Sequence, residues 1–230
     1  MIALGLLGAF ALLWFRHHPH MPWRDALPLL RDLQPLLDGD WSSEHVWQQI
    51  QPHYTAHRVL ILRALLFLDI QFLSGSGHLL YFTGWLSLLS ILGLYSYGAQ
   101  RHMGQNSSLL IFSIAIAISL LCMPSHLWNF INPVCAGWLL SFALSVTAFW
   151  LLLKQPGQAT AGNLALAYTL ILIAAFVVFS GVLAWLVVPG LLLLRRHPAW
   201  PVAALLSLAF VSLYTIGISS DAKIALQMLE

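Results

Sequence analysis

The chain has 230 residues, of which 60% are hydrophobic and only 8% are charged. A soluble globular domain carries about 25% charged residues, so this composition excludes an ordinary soluble protein and favours a membrane protein with many spans. The net charge of +2, with histidine neutral, provides no basic field for nucleic acid. We therefore predict an all-α polytopic membrane helix bundle that forms one integral membrane domain over residues 1–230.

Apolar runs along the chain predict about seven transmembrane helices. The first run, MIALGLLGAFALLWF, would reach only about 22 Å as a helix, which is short of the ~30 Å hydrocarbon core. No basic segment precedes it and no small-residue cleavage site follows it, so we expect a retained helix and not a signal peptide. The later runs lie at 59–73, 77–97, 107–128, 133–153, 164–194 and 199–218.

Two of these runs differ from a plain span. The run at 59–73 is short and ends at the turn signal SGSG, so it either spans with help from its polar flank or is re-entrant. The run at 164–194 is too long for one straight span. We expect it to tilt or to break near Pro189 and Gly190, because proline removes a helix hydrogen bond.

Basic residues leave the membrane orientation open. With seven spans and a cytoplasmic N-terminus, Arg195 and Arg196 fall on the cytoplasmic side, as the positive-inside rule requires. Arg101 and Lys154 then fall on the other side, which opposes the rule. We expect an integral protein of the bacterial inner (plasma) membrane with the loop at 16–58 on its extracytoplasmic side.

The loop at 16–58 concentrates the polar chemistry of the chain, since it holds five of the eight acidic residues and six of the ten histidines. Its leucines recur at helical spacing and are interrupted by prolines, which predicts short amphipathic helices in the membrane interface. DGDW then predicts a turn whose Trp41 suits the headgroup region. Ser42 or Ser43 can cap a short helix that includes Glu44.

The stretch PHYTAHRVLILRALLFLD places ionisable side chains at the edge of an apolar run, where they usually face a protein interior or a watery cavity. His53 and His57 lie at i and i+4, on one helix face. In one interpretation His57 and Arg58 reach lipid headgroups, and Arg63 and Asp69 are structural partners. In the other, these side chains line a polar site for an anionic group, which arginine can bind through its bidentate fork.

The order of these features resembles the N-terminal half of the GT-C type glycosyltransferases, polytopic membrane enzymes that take sugars from polyprenyl-phosphate donors. Members have a first helix and then a large external loop, which opens with an acidic residue and a short amphipathic helix and reaches a GDW-like turn. Here Asp25 precedes DGDW, and Asp40 lies fifteen residues on. PHYTAHRVLILRALLFLD stands where the second helix begins. The resemblance covers roughly residues 1–155, and the chain is shorter than such enzymes usually are.

The resemblance implies a mechanism for sugar transfer. Asp25 would be the general base that deprotonates or orients an acceptor hydroxyl. Arg58, with His53 or His57, would neutralise the lipid phosphate as it leaves, and Arg63 would belong to the same substrate site. The implied partners are membrane lipid and a polyprenyl-phosphate-linked sugar.

Metal binding has several candidates in the sequence. Under the resemblance, Asp38 or Asp40 would bind a divalent cation, because hard cations prefer oxygen ligands; the alternative for both is a solvated turn. HHPHM offers ligands that suit copper or zinc, but the chain has no HExxH motif. Haem would require His78 and His126 on facing helices, which nothing in the sequence shows.

A non-catalytic function is the alternative to the transferase. The chain would then be a membrane accessory protein, a scaffold or a lipid carrier that acts with a membrane protein partner. Small residues in SIAIAIS and GWLLSFALS permit the close helix packing that such a partner or the bundle itself requires. A transporter would show interrupted helices at matching positions of two halves, and Pro124 and Pro189 do not form such a pair.

Overall fold

A computed structural model describes residues 8, 12, 27–51, 58–103, 107–121, 136–154 and 159–216. Within these ranges the chain forms nine α-helices and no strand, which confirms the all-α prediction for this part of the protein. The helices are α1 (Leu27–Leu37), α2 (Ser43–Gln48), α3 (Leu60–Leu73), α4 (His78–Met103), α5 (Ser107–Leu121), α6 (Ala136–Leu153), α7 (Ala161–Val177), α8 (Ser180–Leu194) and α9 (Trp200–Thr215).

The helices α4 to α9 pack side by side as a bundle, in which α4 and α6 run in the same direction. Near their beginnings, Gly84 lies so close to Ala136 that an added Cβ would be 3.2 Å from the Ala136 Cβ. Near their ends, the rings of Tyr97 and Trp150 meet edge to face with 5.9 Å between centroids. Helix α5 packs mainly against α4.

The helices α6 to α9 alternate in direction. Ser141, near the beginning of α6, donates a hydrogen bond to the Ala174 carbonyl near the end of α7. The ring centroids of Tyr168 on α7 and Trp185 on α8 are 5.2 Å apart. Trp185 also stacks on Phe210 of α9, with 4.0 Å between the ring centroids. The end of the bundle where α4, α6 and α8 begin and α7 and α9 end is called the loop end. The opposite end is called the basic end, because Arg101, Lys154 and Arg195 lie there.

The short helix α3 lies across the loop end of the bundle. Just before α3, Arg58 donates to the backbone carbonyl of Tyr214 at the end of α9. Toward the other end of α3, the Asp69 carboxylate accepts from the backbone N–H groups of Gly77 and Leu79, where α4 begins. Both ends of α3 are thus fixed at the same end of the bundle, so the 59–73 run does not span it. Helix α1 contacts both α2 and α3, and these three helices together are called the lateral layer.

The run at 164–194 does break, but the predicted position near Pro189 and Gly190 was wrong. Helix α7 ends at Val177, and Val178 is extended (φ −153°, ψ 161°). Pro189 lies inside α8. The chain reverses before α8 because Gly181 packs directly on α7: a Cβ on Gly181 would lie 2.2 Å from the Ala174 carbonyl carbon. The run is therefore two antiparallel helices and not one interrupted span.

Two of the described helices, His78–Arg101 and Ala136–Leu153, are long and apolar enough to cross a membrane. Four further apolar helices are shorter, at Ser108–Ile118, Ala161–Val177, Ser180–Leu194 and Trp200–Thr215. A count of about seven spans is thus not confirmed, and the first apolar run lies almost wholly outside the described residues. The short helices expected within the 16–58 loop are present as α1 and α2.

Replacing Gly181 by alanine should disrupt the α7–α8 reversal, since the new methyl group would overlap the α7 backbone. Overpacking of this kind costs about 1–3 kcal/mol or more, so we expect a clearly lower unfolding temperature in detergent. Gly190→Ala is the matched control on the same helix, because nothing lies within 4 Å of a Cβ there. Equal unfolding temperatures for the two variants would contradict the close contact.

Candidate functional site

Arg63 of α3 is the centre of the lateral layer, and its side chain is only 3% exposed. Its Nη2 donates to Oδ2 of Asp32 on α1 at 2.6 Å. Its Nη1 donates to the backbone carbonyls of Gln48 and Gln49 at 2.9 and 2.7 Å. These carbonyls lie at the C-terminal end of α2, where the helix dipole favours a positive charge; the Gln48 carbonyl also accepts from the Gln51 N–H at 3.2 Å. One guanidinium thus joins all three helices of the layer.

Arg58 ties the lateral layer to the bundle. Its Nε and Nη2 donate to the carbonyls of Tyr214 and Ile216, at 3.2 and 2.7 Å, and so cap the end of α9. Its Nη1 donates to the Ile50 carbonyl at 3.1 Å, just after α2. The guanidinium carbon also lies 5.4 Å from the centroid of the Tyr214 ring, a cation–π contact.

Asp69 is completely buried and caps the beginning of α4. Its Oδ2 accepts from the Gly77 N–H at 2.6 Å and its Oδ1 from the Leu79 N–H at 2.8 Å. A carboxylate at a helix N-terminus is favoured by the partial positive charge there. These contacts support the structural interpretation of Arg63 and Asp69, although their partners are Asp32 and backbone groups. A substrate role for Arg58 and Arg63 stays a prediction.

Asp38 and Asp40 lie in the turn between α1 and α2. Asp38 accepts a hydrogen bond from the Gln34 side chain at 2.9 Å. Asp40 accepts from the Ser42 backbone N–H at 3.1 Å and pairs with the His45 ring at 3.0 Å. The Ser42 N–H stabilises the carboxylate and thereby lowers the pKa of Asp40. Asp40 therefore organises the entry to α2, where the sequence indicated a serine cap.

Several predicted site residues lie outside the described ranges: the proposed base Asp25 and the histidines His53 and His57. Their roles stay predictions, as do the metal ligands in HHPHM. Among the described residues, no group of three or more His, Cys, Asp or Glu side chains is arranged to bind a metal ion. The proposal of a cation at Asp38 or Asp40 therefore rests on the sequence.

An apolar pocket of about 340 Å³ opens within the lateral layer. Helix α1 contributes Leu33 and Leu36, and the side of α3 contributes Ala64 and Phe67. Trp41 closes one wall and contacts Phe67 edge to face at 5.5 Å. The sequence did not indicate this pocket; the leucine spacing and Trp41 predicted only that this segment lies in the membrane interface.

The basic end brings together cations that the sequence placed on opposite sides of the membrane. Arg101 donates to the Lys154 carbonyl at 2.9 Å, and Arg195 donates to the Leu153 carbonyl at 2.8 Å. The separation of Arg195 from Arg101 and Lys154 was therefore wrong. The reason is the reversal at Val178, which adds a pass through the bundle between Lys154 and Arg195.

The chain matches no protein-family model, no curated protein and no solved structure. The resemblance to GT-C glycosyltransferases consequently rests on the order of features in the sequence. The geometry of the lateral layer and of the basic end carries the rest of the functional interpretation.

Removal of the Arg63 guanidinium should loosen the lateral layer. In Arg63→Met the carbonyls of Gln48 and Gln49 and the Asp32 carboxylate each lose a hydrogen-bond donor, and leaving a buried polar group unsatisfied costs about 1–3 kcal/mol. We expect faster proteolysis within α1 and α2 and a lower unfolding temperature. Arg31→Met, at an exposed position on α1, removes an equal charge and should shift stability by no more than about 0.5 kcal/mol. Proteolysis of Arg63→Met at the wild-type rate would show that the guanidinium does not hold the layer.

Proposed function

We propose that the protein is an integral membrane protein in which α4 to α9 cross the bilayer. The supporting observation is the contrast between the outside and the inside of the bundle. Large apolar side chains face outward, with Leu205 69% and Ile111 67% exposed, whereas Ala148, Ala167 and Ala174 inside are fully buried. Small residues inside and large apolar residues outside suit helices packed in lipid. The shorter helices, of 15 to 17 residues, reach about 22–26 Å and would require a locally thinned bilayer.

The distribution of charge supports one orientation in the bacterial inner membrane. No acidic residue occurs between Asp69 and Asp221. Arg101, Lys154 and Arg195 meet at the basic end, which the positive-inside rule assigns to the cytoplasm. The lateral layer then lies on the extracytoplasmic side, as expected for the loop at 16–58.

The function that the geometry supports best is binding of a membrane lipid by the lateral layer, in a lipid carrier or an accessory membrane component. The observation that carries this proposal is the apolar pocket of about 340 Å³ at the loop end. Its size lies in the usual range of ligand pockets, about 300–1,000 Å³. Its walls are apolar except for Gln49 and Arg63, so it suits a hydrocarbon chain more than a sugar.

A GT-C-like transferase with a lipid-phosphate-linked sugar donor is the second candidate. The same pocket favours it, because a polyprenyl chain could occupy the pocket while its phosphate faces the loop. The guanidinium groups of Arg58 and Arg63 already bind backbone carbonyls, so a phosphate would have to displace those bonds. The base in this mechanism would be Asp25, and a divalent cation would bind at Asp38 or Asp40.

Filling the pocket should weaken lipid binding without disturbing the bundle. Ala64 is exposed on α3 and lines the pocket, so Ala64→Phe places a ring inside it. We expect roughly tenfold weaker binding of a polyprenyl phosphate, which corresponds to a loss of about 1.4 kcal/mol, measured by native mass spectrometry. Ala165→Phe, at an exposed position on α7, is the control and should bind like wild type. Unchanged binding by Ala64→Phe would exclude this pocket as the lipid site.

Asp25→Asn separates the two candidate functions. In membranes supplied with a polyprenyl-phosphate-linked hexose, a transferase should move the sugar to an acceptor hydroxyl in the membranes, with the polyprenyl phosphate as the leaving group. Asp25→Asn should abolish this transfer while leaving the protein folded and inserted. Transfer at the wild-type rate in Asp25→Asn would remove Asp25 from the mechanism. An absence of transfer by the wild type, with lipid binding in the pocket retained, would favour the non-catalytic lipid-binding function.

A further inference from the structure

A second cavity, of about 550 Å³, opens at the basic end between α4, α6 and the residues that follow α8. Three cations line it: Arg101, Lys154 and Arg195. Aromatic side chains, among them Tyr97 and Trp150, form its apolar wall. This cavity lies at the opposite end of the bundle from the pocket of the lateral layer.

The last turn of α6 holds the three cations in a fixed arrangement. Arg101 Nη1 binds the Lys154 carbonyl and Arg195 Nη2 binds the adjacent Leu153 carbonyl, at 2.9 and 2.8 Å. The Lys154 ammonium lies 4.8 Å from the centroid of the Trp150 ring. Two arginines from different elements therefore donate to adjacent carbonyls at the end of α6, next to Lys154.

Capping of α6 does not account for this amount of charge. A helix C-terminus carries about half a negative charge, and the bond to Lys154 uses one of the five N–H groups of Arg101. No carboxylate is among the residues that line the cavity, and the sequence has no acid between Asp69 and Asp221. Among the described residues, the lining of this cavity therefore holds three basic side chains and no acidic one.

We propose that this cavity binds the phosphate of an anionic phospholipid headgroup. Arginine provides the planar fork that matches a phosphate, and lysine adds a point charge. The cavity lies at the ends of α4 and α6, the two helices long enough to cross a membrane, so it is at the level where phospholipids present their phosphates. Tyr97 and Trp150 are of the residue type that favours this interfacial level. The proposal depends on the membrane placement given above, and not on lipid binding by the lateral layer.

The test is binding of phosphatidylglycerol and of zwitterionic phosphatidylcholine to the purified full chain, measured by native mass spectrometry in detergent. Wild type should prefer phosphatidylglycerol. Lys154→Gln should lose about fivefold in affinity for phosphatidylglycerol, the factor that corresponds to ~1 kcal/mol per basic residue, and leave phosphatidylcholine binding unchanged. Arg101→Gln should have a similar effect. Lys154→Gln carries little risk to folding, because among the described residues its ammonium contacts the Trp150 ring, and the bond from Arg101 goes to its backbone carbonyl.

Arg196→Gln is the matched control, since Arg196 is exposed at the same end and does not line the cavity. It removes an equal charge and should keep the preference for phosphatidylglycerol. An equal loss in Arg196→Gln would show diffuse attraction and overturn the site.

Displacement of phosphatidylglycerol by millimolar inorganic phosphate or glycerol 3-phosphate, with direct binding of either by calorimetry, would overturn the lipid assignment in favour of a soluble phosphate. Ala64→Phe should not alter any of these values, which separates this proposal from the one on the pocket of the lateral layer.

Discussion

The confinement of charge to the two ends of an apolar bundle is the constraint on which the rest of the structure depends. An ionised side chain at membrane depth is costly unless the protein surrounds it with partners. Within the described ranges, the charged side chains of the lateral layer lie at the loop end of the bundle. Arg101, Lys154 and Arg195 lie at the basic end. The helices between them expose Leu, Ile and Phe side chains, as the proposed placement in lipid requires.

The charged side chains in and beside the 59–73 run form hydrogen bonds to the ends of helices. Arg58 caps α9, Arg63 caps α2, and Asp69 caps α4, so each satisfies backbone groups that a helix terminus leaves without partners. A cap on a helix end is worth about 1 kcal/mol, and an unsatisfied buried backbone group costs about 1–3 kcal/mol. A lateral layer fixed in this way can enclose an apolar pocket, which is why lipid binding is favoured over chemistry at the arginines.

The helical class and the short loop helices could be predicted from the sequence, because composition and leucine spacing are local signals. The direction of the chain after Val177 could not. Pro189 is the stronger local signal for a break, yet the reversal depends on contact between Gly181 and Ala174, which exists only in the folded bundle. That single error placed Arg195 on the wrong side and hid the basic cavity. Likewise, two partners of Arg63 are the backbone carbonyls of Gln48 and Gln49, and no pattern of residues in the sequence predicts them.

The most direct test of the central claim is the accessibility of single cysteines in bacterial spheroplasts, with Cys122 and Cys135 replaced by serine. Glu44→Cys places a thiol on exposed α2, and Arg196→Cys places one at the basic end. The account predicts that a membrane-impermeant maleimide labels Glu44→Cys from outside, and labels Arg196→Cys only after the membrane is disrupted. Labelling of both thiols from the same side of an intact membrane would contradict a bundle that crosses the bilayer with its charge divided between the two faces.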